Sequence, residues 1–145
     1  MRDWNDYFMR IAEEASTMAT CDRLHVGCVL VKDKRVIATG FNGSLKGAPH
    51  CDDVGHLYNE EGRCIRTVHA EQNALLQCAR YGIPTDGAVA YCSHEPCEHC
   101  TRSLVQAGIT KVYFRKAYKN KWNMHFNNGI QWIHLTEDYV EVEGK

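Results

Sequence analysis

Two short runs of residues can hold a metal ion and do chemistry with it. They are His69-Ala70-Glu71 and, after 24 intervening residues, Pro96-Cys97-Glu98-His99-Cys100. Cys97 and Cys100 are three apart, so on a helix they lie on one side and can grip one ion. Pro96 suits the first helical turn, where its missing N–H costs nothing. A helix N-terminus also favours thiolates, through its dipole and its free N–H groups. With His69 as a third ligand, one tetrahedral position stays open, which is the catalytic arrangement of zinc; four protein ligands would be a structural one. Zinc held in this way lowers the pKa of water to about 7. Glu71 would sit close enough to move that water's proton. Two alternatives stand beside this reading: a closed zinc site with His94 or His99 as fourth ligand, and a redox Cys-x-x-Cys pair.

Those residues need elements to position them. Residues 69–81 (HAEQNALLQCARY) have helical spacing, stopped by Gly82 and Pro84. Residues 97–107 (CEHCTRSLVQA) form a second helix, closed by Gly108. Residues 87–92 and 110–115 are β-rich and flank that helix, which predicts a parallel β-α-β unit. Upstream, residues 3–19 repeat apolar side chains at helical spacing, with Asp3 as the N-cap. Residues 26–31 and 35–41 read as strands joined at Lys32-Asp33-Lys34, a short hairpin without the usual Asn-Gly. Residues 42–67 are loop-like. Weaker strands are expected at 130–135 and near 139–142. This order implies a mixed sheet with helices on both faces.

Length and composition narrow the field. The chain has 145 residues, which predicts one domain spanning 1–145. Its formal net charge is −1, unlike the basic domains that bind nucleic acid. No apolar run approaches the roughly 20 residues of a membrane span. The amino end is acidic from its third residue and has no apolar leader, so a cytoplasmic location is expected. Thiols stay reduced there, which makes the 8 Cys metal ligands, reactive groups or core residues. The even count leaves a disulfide framework as the alternative.

The ordered pair H-x-E and P-C-x-x-C is the established signature of zinc deaminases, with the Glu as general acid/base and not a ligand. The chain resembles the cytidine/deoxycytidylate deaminase superfamily, and most of all its deoxycytidylate (dCMP) deaminases. The resemblance runs from Trp4 to about Tyr118. Besides the two motifs it is carried by Val26-Gly27-Cys28-Val29, Gly40-Phe41-Asn42-Gly43-Ser44, His50-Cys51-Asp52 and Arg66-Thr67-Val68. Cys28, Phe41 and Leu45 depart mildly from the usual VGA and GYNGSP. It implies a three-layer α/β/α fold with a mixed five-stranded sheet. It also implies hydrolytic deamination of dCMP to dUMP and ammonia: an activated water adds to C4 while Glu71 carries protons to N3 and to the leaving amine. The backbone at Ala70 would accept from the exocyclic amine.

Further assignments follow from the resemblance. Asn42 is the choice for the sugar, having both a donor and an acceptor. The phosphate needs cations or N–H groups; Arg23 is preferred over Arg66, Lys116 and Lys119. Tyr118 and His94 would flank the base or sugar. A second, structural zinc would pin the long loop through Cys21, Cys51, His56 and Cys64, with His50 as the rival histidine. Cys28, Cys78 and Cys92 are left to the core. Homohexamers, activation by dCTP with magnesium and inhibition by dTTP are common in that group. A tRNA adenosine deaminase shares both motifs, but the charge, the Cys-rich loop and Gly40–Ser44 argue against it. A free cytidine deaminase would carry Cys where His69 stands. A zinc-bearing interaction module would have no need of Glu71.

Overall fold

A computed structural model describes residues 2–118 and 120–136, together with the backbone of 141–143. Asp3 caps the first helix, α1 (Trp4–Ser16), its carboxylate accepting from the N–H groups of Asn5 and Asp6. β1 (Gly27–Lys32) and β2 (Arg35–Phe41) form the expected hairpin. Its turn residues, Asp33 and Lys34, hold φ of 53° and 58°. Both therefore adopt the left-handed region that tight hairpins need, without a glycine.

The expected irregular stretch contains short ordered pieces. β3 (Gly43–Ser44) pairs with β4 (Thr67–Val68), and α2 (Cys51–Val54) is a single turn. A lone bridge joins Tyr58 to Cys64. The two later helices are α3 (Ala70–Tyr81) and α4 (Glu98–Gln106). β5 (Val89–His94) lies two residues later than the pattern suggested, because Gly87 at φ 82° still belongs to the preceding turn. β6 (Lys111–Lys116) and β7 (Gln131–Leu135) follow, with a 3-10 turn at Asn123–His125 between them. The backbone of β8 (Glu141–Glu143) closes the order. That strand overlaps the one expected near 139–142, of which residues 139 and 140, like Lys119, lie outside the described residues.

The sheet runs β2-β1-β5-β6-β7-β8. β5, β6 and β7 are parallel, while β1 is antiparallel to both of its neighbours. The expected mixed five-stranded sheet is thus present, and β8 adds a short antiparallel edge. Strand side chains alternate between two cores. Cys28, Leu30, Cys92 and Phe114 pack with α3 and α4, through Ala70, Ala74, Cys78 and Leu104. Val29, Val31, Tyr91 and Tyr113 pack with α1, through Phe8, Met9 and Ala12. Cys28, Cys78 and Cys92 are fully buried there, as expected of packing residues. None of the described helices is long and apolar enough to cross a membrane.

Gly40 sets the distance between β2 and α3. A Cβ there would overlap the Ala70 carbonyl oxygen and lie 2.7 Å from the Ala74 nitrogen. Both are backbone atoms, so relief requires moving the helix that carries Glu71. Gly40→Ala is expected to destabilise the protein by about 3 kcal/mol, the upper range for an overpacked core. Urea unfolding reads this directly; an unchanged midpoint would contradict the close approach.

Candidate active site

α3 and α4 both begin at the same end of the sheet, and their first residues converge. His69 is the N-cap of α3, and Cys97 is the N-cap of α4. This corrects the expected helix start: Cys97 precedes the helix as its cap and Pro96 stands two residues before its first residue, Glu98. Cys100 lies within the first turn. His69 Nδ1 is 3.5 Å from Cys97 Sγ and 3.3 Å from Cys100 Sγ. Two donors of one tetrahedral zinc ion, at zinc–ligand distances of 2.0–2.3 Å, stand about 3.5–3.8 Å apart. The donor set and its spacing therefore fit zinc. His94 and His99 are not in this group, and the His99 side chain is 57% exposed. Three donors converge among the described residues, not four.

A hydrogen bond from Cys100, helped by His69, brings the Cys97 thiol down to about 4, so it is a thiolate at neutral pH. Cys100 is pushed up by the same bond and by burial, and it keeps its proton. His69 is raised, chiefly by its bond to Cys97. Metal uptake must displace these protons.

Glu71 follows in the first turn of α3 and is 4% exposed. Burial raises its pKa above the ordinary carboxylate range, and its carboxyl shares a hydrogen bond with Cys100. A carboxyl held beside three metal donors, and made a better proton acceptor by burial, is equipped to take and return a proton.

His69, Glu71 and Cys97 line a cavity of about 420 Å³, within the size range of small-molecule sites. Asn42, Ala70, Arg23 and Tyr118 all line it, as does His94. Asn42 is more committed than its sequence suggested. Its Oδ1 accepts from Val26 N at 2.7 Å, and its Nδ2 donates to Leu24 O at 2.6 Å. Each end of the amide retains one further lone pair or hydrogen for a ligand. Arg23 sits over the Tyr58 ring and donates to Gly62 O. Arg66 turns away, donating to Gly55 O, and neither it nor Lys116 lines the cavity. Sequence reasoning missed two charged lining residues, Arg63 and Glu95. Glu95 adjoins Pro96, a proximity that could have flagged it; Arg63 lies in a loop without periodicity and carries no comparable signal.

A second donor group lies nearby. Cys21, Cys51, His56 and Cys64 bring their ligand atoms within 4.8 Å of one another. Cys21 Sγ is 3.4 Å from His56 Nδ1, and the Cys51 and Cys64 sulfurs are 3.6 Å apart. None of the eight cysteines is joined in a disulfide. His56 gives its other ring nitrogen to Asp22, 2.8 Å away, the support that metal-bound histidines commonly receive. His50 does not join the group; its Nδ1 meets Thr20 Oγ1 at 3.0 Å. Burial raises Cys51 to about 12. At Cys64, the N–H groups of Arg66 and Leu57 outweigh burial and bring the thiol down to about 6.

The family model of the cytidine and deoxycytidylate deaminase zinc-binding region matches residues 2–116, and the chain belongs to that family. Within it, the chain is 50% identical over 116 residues to ComE operon protein 2 of Bacillus subtilis, covering 80% of this chain and 61% of that protein. The chain thus spans less than two thirds of that relative's length. It is 38% identical over 125 residues to the deoxycytidylate deaminase of Mycobacterium phage D29, covering 79% and 95% of the two chains. The solved structure of the dCMP deaminase of cyanophage S-TIM5, in complex with dCMP and dUMP, superimposes with a TM-score of 0.79. It is 31% identical and the match covers 92% of this chain and 98% of that one.

Proposed function

We propose that the chain catalyses hydrolytic deamination of dCMP to dUMP and ammonia, at a zinc ion held by His69, Cys97 and Cys100. The observation that carries this reading is the convergence of those three donors at a cavity that His69, Cys97 and the buried Glu71 line. Likeness to a dCMP deaminase over nearly its whole length supports the choice of substrate. When bound, zinc supplies Lewis-acid chemistry that brings the pKa of water to about 7. Glu71 takes a proton from the attacking water as its oxygen bonds to C4 of the pyrimidine, and passes that proton to N3. It then takes the remaining hydroxyl proton of the C4 adduct and gives it to the amine, which leaves as ammonia as the C–N bond breaks and the C4 carbonyl forms. The Ala70 backbone accepts from the exocyclic amine, and the free valences of Asn42 hold the sugar. Arg23, joined by Arg63, faces the phosphate, and Tyr118 closes the rim.

The same reading extends outwards. Cys21, Cys51, His56 and Cys64 hold a second, structural zinc that orders residues 42–67. Residues 1–145 act as one cytoplasmic deaminase domain, assembled as a homohexamer, and supply dUMP for dTMP synthesis. dCTP with magnesium activates and dTTP inhibits.

The test follows loss of the cytosine chromophore with dCMP, deoxycytidine, CMP and dCTP in parallel, with and without dCTP–magnesium and dTTP. dCMP is expected to react fastest. Conversion of adenosine in tRNA, with dCMP left intact, would reverse the assignment.

A further inference from the structure

The family match stops at residue 116, yet the chain beyond it is bonded to the turn that carries Cys97 and Cys100. Glu95 accepts from Tyr118 N at 3.1 Å through Oε1 and from Trp132 Nε1 at 2.8 Å through Oε2. Glu98 Oε2 accepts from Asn120 Nδ2 at 2.8 Å. Asn123 goes deepest, at 2% exposed. Its Nδ2 donates to Pro96 O at 2.8 Å, and its Oδ1 accepts from Thr101 Oγ1 at 2.9 Å. Pro96 and Thr101 are the residues immediately outside Cys97 and Cys100. One buried carboxamide therefore spans both ends of the Cys-x-x-Cys turn.

The hydrogen count explains why an amide is needed. Thr101 Oγ1 lies near two acceptors, Cys97 O and Asn123 Oδ1, both at 2.9 Å. A hydroxyl has one proton to give. Cys97 O already receives the Thr101 N–H, so the proton is best spent on Asn123. With the amide turned over, its oxygen would face Pro96 O and two acceptors would meet. Only the observed orientation satisfies both ends, and leaving a buried polar group unsatisfied carries its full desolvation penalty.

We propose that Asn123 is a positioning residue for the zinc ligands, so that the chain beyond the family match is a working part of the metal site. It touches neither zinc nor substrate. It fixes the separation of Pro96 O and Thr101 Oγ1, and through them the placement of the two sulfurs between. The proposal rests on the reading that His69, Cys97 and Cys100 hold zinc.

The test measures zinc release from the loaded full chain to a chromophoric chelator, well below the melting temperature. His69→Ala identifies the release phase that belongs to this site. Asn123→Ala and the near-isosteric Thr101→Val are expected to speed that phase by about 10- to 100-fold, the usual cost of losing an outer partner of a metal ligand. The other phase should not change. The double variant should be no faster than Asn123→Ala alone, because both remove the same link. If Asn123→Ala does not fold, Thr101→Val carries the test. Release within twofold of the parent chain in the folded variants would overturn the positioning role. A parent chain with no release phase sensitive to His69→Ala would instead contradict the zinc reading, and the role of Asn123 would fall with it.

Discussion

Glu71→Gln is expected to abolish measurable turnover of dCMP while leaving the zinc content unchanged. The loss should be at least roughly 10²- to 10⁴-fold, the usual contribution of a positioned proton-transfer group. Glutamine has the same shape, so the packing at the start of α3 should survive. It can neither take the proton of the attacking water nor return one to the pyrimidine. Burial raises the pKa of Glu71, so its ionised form is more costly in the folded state than in the unfolded one. The stability lost in this way is absent at low pH, where the group is protonated in both states, and grows as pH rises through the carboxylate range. Removing the charge should therefore leave the metal-free protein no less stable at neutral pH. Retained zinc with more than a tenth of the parent rate would contradict the role given to Glu71.

Cys64→Ser is expected to lower zinc content from two equivalents per chain to one and to loosen residues 42–67. Structural zinc contributes on the order of 10 kcal/mol to small zinc-dependent folds. Here both cores lie around the sheet and do not depend on the loop. The expected result is local opening: rapid proteolysis between Ser44 and Arg66, with the sheet still folded. Arg23, Arg63 and Cys64 all line the cavity, so KM for dCMP should rise more than kcat falls. Elemental analysis and limited proteolysis test this together. Zinc content and proteolysis both matching the parent chain would remove the second site.

The sequence revealed some parts of this site far better than others. His69, Glu71, Cys97 and Cys100 could be read because their chemistry is concentrated in two short motifs at helix starts. Asp3, Gly82 and the alternating strands were readable for a similar reason, since capping and periodicity are local properties. The Asp33–Lys34 turn shows the limit of local rules: two residues without glycine's freedom still adopt positive φ because the hairpin demands it. In residues 42–67 no period marks an element, and the ordered pieces are held by partners distant in the chain. Asp52 N, for example, donates to Thr20 O, and Arg23 donates to Gly62 O. Arg63 reaches the cavity by such long-range placement. Asn123 is the clearest case, an asparagine in an unpatterned tail whose importance depends on Pro96 and Thr101, more than twenty residues earlier.

The most direct measurement is product formation by zinc-loaded, chelator-stripped and zinc-restored protein incubated with dCMP. dUMP and ammonia should appear in equal amounts with the loaded chain, stop on stripping and return with zinc. A zinc-replete chain that leaves dCMP intact, or turnover that survives complete removal of zinc, would contradict it.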